Sequence, residues 1–226
     1  MAKKDVQVVE IRPIDIKHIP IRIVGTSPLI VHAWSEKSKK MLIGTGKDPI
    51  RKKEPRNPVK DFIDSLYWLE GKPDEEEISK DAEMAFLDAV AKGARFGFKV
   101  GAIKLAANSA AYRSGWVPNQ TALRGTYFLK ASDGEFAEIK QIGTDGVNIP
   151  IMREDTVKIG RGTADIRYRG EFRDWYMDFV LEYNASGKYS LDDIINCINA
   201  GGYMIGIGEW RPERDGEFGT FVLEMN

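Results

Sequence analysis

Between Gly206 and Gly219 the chain reads Gly-Ile-Gly-Glu-Trp-Arg-Pro-Glu-Arg-Asp-Gly-Glu-Phe-Gly, with four glycines, two arginines and two aromatic residues in fourteen positions. Arginine offers a planar fork of donors to phosphate oxygens. An indole or phenyl ring stacks on a nucleobase of any identity. Glycine lets a backbone turn sharply or approach another surface closely. Arg161, Arg167 and Arg169 add guanidinium groups upstream, and in an extended segment Arg167 and Arg169 share one sheet face. Lys52, Lys53 and Arg56 belong to a third cluster. From Lys37 to Lys60 there are nine basic residues against Asp48 and Glu54, interrupted by glycines and prolines in the manner of a basic loop. The candidate nucleic-acid-binding residues are therefore Lys52, Lys53, Arg56, Arg161, Arg167, Arg169, Arg211 and Arg214 as phosphate contacts, with Trp210 as a stacking platform.

Catalytic and metal chemistry find little support. His18 and His32 are the two histidines, and neither has metal-motif spacing with a carboxylate; a surface or satisfied structural role is expected for both. Cys197 lies among Ile194, Ile195 and Ile198, as a core thiol would. As the single cysteine it excludes an intramolecular disulfide and fits a reducing compartment. Gly206-Ile207-Gly208 does not open a helix and lacks the third glycine of a dinucleotide fingerprint. No catalytic residue, metal site or cofactor is implied, and the expectation is a protein that is not an enzyme. Lys and Arg total 33 against 34 Asp and Glu, so bulk charge decides nothing and its segregation matters. Acidic residues gather from Glu70 to Asp88, whereas Lys92 to Arg113 holds five basic residues and no acid. Met1 to Glu10 is mixed polar, unlike a signal peptide, and no apolar run approaches bilayer length. A cytoplasmic protein with no membrane partner is expected.

The elements that must position these residues follow from periodicity. His18 to Val24 alternates as a strand, with Leu29 to Val31 as another after the Gly25 to Pro28 turn. Ser35 is placed to cap a short helix through Leu42, and Asn57-Pro58 to start one with Phe62, Ile63, Leu66 and Leu69 on its apolar face. Gly71 to Asp81 reads as an exposed acidic insertion, followed by helices at Ala82 to Ala91 and Ala102 to Tyr112. Ser132-Asp133-Gly134 suggests a hairpin turn between Tyr127–Lys130 and Phe136–Ile142. Further strands are predicted at Ile151–Ile159, Ala164–Tyr168 and Trp175–Tyr183. A helix capped by Ser190 runs to Ala200, and a strand closes the chain at Thr220 to Leu223. This order predicts an α+β fold: a ferredoxin-like or RRM-like antiparallel sheet, helices on one face, the other face free, with inserted basic and acidic segments.

Arg153-Glu-Asp-Thr-Val-Lys-Ile-Gly160, Asp165-Ile-Arg-Tyr-Arg169, Ile207-Gly-Glu-Trp-Arg-Pro-Glu-Arg214 with Phe218-Gly219, and Val24-Gly-Thr-Ser-Pro-Leu-Ile30 resemble a family of uncharacterised phage and prophage proteins. The glycine-rich ending also resembles that of the RAMP superfamily, ferredoxin-fold proteins that coat guide RNA in CRISPR effectors. These resemblances imply one RAMP-like domain over residues 1–226, with 44–96 inserted, that binds a single strand and assembles into a homo-oligomer or filament. Phage context favours single-stranded DNA in replication or recombination. The alternative is a non-enzymatic phage protein that binds or inhibits a host protein complex by RAMP-subunit or nucleic-acid mimicry, with the acidic Glu70 to Asp88 stretch as its cue. A metal-dependent nuclease built on Asp165, Asp178 and Glu209 is a third.

Overall fold

The computed structural model describes residues 13–34, 56–132, 134–143, 147–159 and 162–224. The fold is α+β, with every strand pairing antiparallel. In the principal sheet, β1 (Ile16–Gly25) lies between β11 (Phe221–Glu224) and β10 (Trp175–Asn184). On the far side of β10 pair β5 (Tyr127–Lys130) and the short β7 (Lys140–Gln141). The chain passes from β10 through α5 (Leu191–Met204) to β11 on the far side of β1, and enters β5 directly after α4 (Val100–Arg113).

Period-two alternation determines which face each residue occupies. Ile19, Ile21 and Ile23 stand opposite Leu181, Phe179 and Met177 and enter the core. Covering helices α4 (Val100–Arg113) and α5 (Leu191–Met204) supply Ile103, Ala107, Ile194 and Ile198 to the same core. Tyr127 is fully buried and donates its hydroxyl to Asn108 Oδ1 of α4 at 3.0 Å. The opposite sheet face carries polar pairs: Arg22 and Lys140 meet Asp178, and His18 and Lys130 meet Glu182.

A second sheet has the order β2-β9-β8. Its bulk is a long hairpin of β8 (Ile151–Ile159) and β9 (Thr163–Phe172), longer on the β9 side than the alternation had suggested. β2 (Leu29–Val31) is wholly buried and pairs with the base of β9. Helix α1 (Pro58–Ser65) packs on this sheet, started as expected by Asn57, whose side chain accepts from the Lys60 amide. It ends before Leu66, and Leu69 lies in β3 (Trp68–Glu70), so the apolar face read through Leu69 divides between a helix and a strand.

β3 pairs with β4 (Arg95–Lys99), which also pairs with β6 (Phe136–Glu138). The Phe96 ring lies 5.9 Å from Phe172, which joins this sheet to the hairpin's base. Within the acidic stretch Asp74 forms a capping box with Glu77 and starts α2 (Glu75–Lys80), ahead of α3 (Ala82–Ala91). Around Gly134 the chain does turn, with an Ala131–Gly134 bridge. The two arms then part, β5 to β10 and β6 to β4, so no extended hairpin forms. Ser35 to Leu42 falls outside the described residues. Among those described, no helix is long and apolar enough to cross a membrane.

Tyr127→Phe strands Asn108 Oδ1 in the core, and an unmet buried acceptor costs about 1–3 kcal/mol. Urea denaturation should show that loss with an unchanged slope, and an unchanged midpoint would refute the importance of this bond.

Candidate nucleic-acid interface

The register of the β8–β9 hairpin places Arg153 opposite Arg169 and Asp155 opposite Arg167. Directly paired residues share a face, so arginines and acids alternate along one side. Glu171 joins them at the base. Arg153 donates to Asp155 at 2.8 Å and to Glu171 at 3.0 Å, while Arg173 reaches Glu171 at 2.7 Å. Arg169 is only 3% exposed and bonds Asp155 at 2.9 Å and Glu209 at 3.2 Å. Three guanidinium groups are thereby matched by three carboxylates. Burial pushes the Asp155 carboxyl up, but hydrogen bonds from Arg153, Arg169 and Trp210 hold it below the usual carboxylate range. Glu171 is lowered in the same way: burial opposes the shift, and Arg173 and Arg153 outweigh it.

The glycine-rich loop after α5 lies against this face. The Glu209 amide donates to the Ile30 carbonyl at 2.9 Å, the Gly219 amide to Pro28 at 2.8 Å, and the Ile207 amide to Gly219 at 2.9 Å. Two positions show why glycine is needed. Gly208 has φ +77° and an ideal Cβ there would lie 2.4 Å from the Ile30 carbonyl oxygen; at Gly219, φ is +68° and the distance to the Ile207 oxygen 1.8 Å. Both glycines therefore serve close backbone packing, and the amides they bring together are committed to carbonyls. A free-standing phosphate cradle is not what this loop builds.

Trp210 has φ +52°, a strained conformation for a bulky residue. Its carbonyl accepts from the Phe218 amide at 3.0 Å, and the residue remains 38% exposed. The Phe218 ring lies 4.6 Å from the Arg153 guanidinium. Loop and hairpin thus form one wall.

The predicted site residues divide into distinct groups. Lys52, Lys53 and Arg161 fall outside the described residues. Arg56 stands just before α1, with its guanidinium on Asp61 at 2.5 Å and Asp165 at 3.1 Å and 5.5 Å over the Tyr168 ring. Arg167 is partly exposed beside Asp165 at 3.8 Å. Arg169 requires correction as a phosphate contact: its side chain is buried and consumed by Asp155 and Glu209. Arg211 is also engaged, with Glu213 at 2.7 Å and the Gly208 carbonyl at 3.0 Å. That places it with Arg113 of α4, which reaches the same carboxylate, and away from Arg167. Arg214 is exposed, with no ion pair among the described residues. Trp175, at the start of β10, is fully buried and donates to the Ser27 carbonyl at 2.8 Å.

Sequence reasoning did not single out Asp155 or Glu213 and read Glu209 as a nuclease carboxylate; the three are the counter-charges that decide which arginines are available. The alternation Arg153–Asp155 against Arg167–Arg169 was a usable signal for the first. His32 fits neither role expected of it: its Nδ1 is buried without a partner, as is Arg169 Nε. Burial, with Arg169 nearby, lowers its pKa from the ordinary 6.5. Among the described residues no group of three His, Cys, Asp or Glu is arranged to hold a metal ion.

No protein-family model matches the chain, and no curated protein matches it. Among solved structures it is similar to a chain in the cryo-EM structure of Type III-B Cmr-beta bound to cognate target RNA, at 12% identity and a TM-score of 0.47. The alignment covers 92% of this chain and 59% of that one, so this chain spans less than two thirds of its neighbour's length.

Arg169→Ala leaves Asp155 buried without one of its two guanidinium partners, and breaking a buried pair costs about 3–5 kcal/mol. Chemical denaturation should report that loss together with a shift in Trp210 fluorescence; a loss below about 1 kcal/mol would mean the pair contributes no more than a surface one. His32 is held neutral by the fold, so its contribution is complete above the unfolded value near 6.5 and is lost as pH falls through the lower folded value. Wild-type melting temperature should therefore drop more steeply from neutral to mildly acidic pH than that of His32→Gln. Parallel curves would refute the assignment.

Proposed function

We propose that the chain is a sequence-tolerant single-stranded nucleic-acid-binding protein that acts without cutting its ligand. The observation that carries this reading is the rooting of the basic segment. Its start follows β2 at His32 to Trp34, its end is Arg56 against Asp165 and Tyr168, and both belong to the β2-β9-β8 sheet. Eight of the nine basic residues counted from Lys37 to Lys60 lie between those anchors or at them. Both ends of that segment are thereby fixed at the hairpin's sheet, the side that also carries Arg167 and the partly exposed Trp210. Phosphates meet Lys52, Lys53, Arg56, Arg161 and Arg167, and a base stacks on Trp210. Such contacts read backbone and ring, not sequence.

The strand order β11-β1-β10-β5, with α4 and α5 on one face, supports placing the fold with ferredoxin-like, RAMP-type domains. On that reading copies associate along a strand, and single-stranded DNA in phage replication or recombination is the favoured setting.

Anisotropy titrations with labelled oligo-dT and oligo-U should show binding that weakens steeply between about 50 and 200 mM salt. Arg56→Ala and Arg167→Ala should each weaken both ligands alike and reduce the salt slope by about one. Absence of binding to either oligonucleotide at low salt would end this proposal.

A further inference from the structure

A second cluster of arginines lies apart from the hairpin, where α4 ends beside the short helical turn Pro212–Arg214. Arg113, in the last turn of α4, donates to Glu213 Oε1 at 2.8 Å. Arg211 donates to Glu213 Oε2 from Nη2 at 2.7 Å and from Nε at 3.1 Å. Arg214 is close enough to act on the same carboxylate, which Arg211 above all, with Arg113 and Arg214, holds below its usual range against the effect of burial. Two guanidinium groups, Arg113 and Arg211, thus converge on one carboxylate, with the exposed Arg214 next to it in the chain. On the hairpin face three arginines were matched by three acids; here two arginines share a single acid, and one positive charge is left over at the contact.

The geometry is that of an oxyanion site already filled from within. A carboxylate presents two oxygens to forked donors, as a phosphodiester does through its non-bridging pair. The surroundings suit a single strand too. Ser114 Oγ lies 3.6 Å from Met204 Sδ, which brings the ends of α4 and α5 together. Tyr112 is 46% exposed there and Tyr203 81%, unusually open for aromatic rings. Rings of this kind stack on bases without regard to identity.

We infer that Arg113, Arg211 and Arg214 form a second phosphate-binding site for single-stranded nucleic acid, with Glu213 as its built-in competitor and Tyr112 and Tyr203 as base platforms. The inference rests on the nucleic-acid-binding reading above and extends it to a different surface. Glu213 sets the affinity of this patch: a phosphodiester must displace it, so the patch engages after the hairpin has brought the strand to high local concentration.

Anisotropy titration of labelled oligo-dT with wild type, Glu213→Gln and Arg113→Ala tests it. Glu213→Gln should bind about three- to tenfold tighter and steepen the salt dependence by about one, since a competing charge is removed and a further phosphate is neutralised. Arg113→Ala should bind more weakly by a similar factor, and combining it with Glu213→Gln should cancel the gain. Arg113 has no part in the hairpin site, so its effect separates the two surfaces. A wild type that binds nothing defeats the first reading and this one with it. Wild-type binding that neither variant alters overturns the second site alone. If Glu213→Gln fails to fold, Arg113→Ala decides the matter by itself.

Discussion

Burying Arg169 is the constraint on which the arrangement turns. An ionised group deprived of water is tolerated only where its charge is met and most of its donors are bonded. Arg169 comes from the middle of β9, Asp155 from β8 and Glu209 from the loop after α5. Each element must therefore arrive in register for any of them to be stable there. A slip of one residue in the hairpin would carry Arg169 to the other face and leave two carboxylates facing apolar surroundings. The loop is held to the same position by backbone bonds to Pro28 and Ile30, so charge and backbone specify one docking geometry twice over.

That neutrality has an electrostatic result. Charges that cancel at contact contribute little field beyond a few ångströms, so the inner network is nearly silent to an approaching polyanion. What a ligand meets is the residue of the accounting: Arg56 and Arg167 near the hairpin, and the Arg113, Arg211 and Arg214 group at the other side of the loop. A count of arginines along the sequence overstates the first group and overlooks the second. Placement relative to carboxylates, not number, decides which of them an anion can reach.

Much of the architecture was legible because it rests on local rules. Ile19, Ile21 and Ile23 alternate, as do Met177, Phe179 and Leu181, and Ser190 and Asn57 cap the helices they precede. Three features were not. The turn at Ser132 to Gly134 looks local, yet its arms are claimed by strands far away in sequence. Asp74 caps a helix that its many acidic neighbours disguised as solvated coil. The fate of Arg169 depended on Glu209, forty residues on, whose position follows from a loop whose packing only the tertiary structure supplies. The glycines signalled an unusual backbone correctly; whether they served a ligand or the protein itself was beyond the reach of spacing.

The position of β8 at the margin of its sheet has a bearing on how the protein behaves when concentrated. Among the described residues no strand pairs with its outer side, so every second residue of the nine turns its backbone donor and acceptor outward. Such margins template pairing with another chain and lead to aggregation unless something forbids it. Here Arg153, Glu154, Asp155 and Lys158 interrupt what would otherwise be an adhesive ribbon of Ile151, Met152, Val157 and Ile159. The charges that fasten the loop to the hairpin therefore also act as gatekeepers against edge-to-edge pairing.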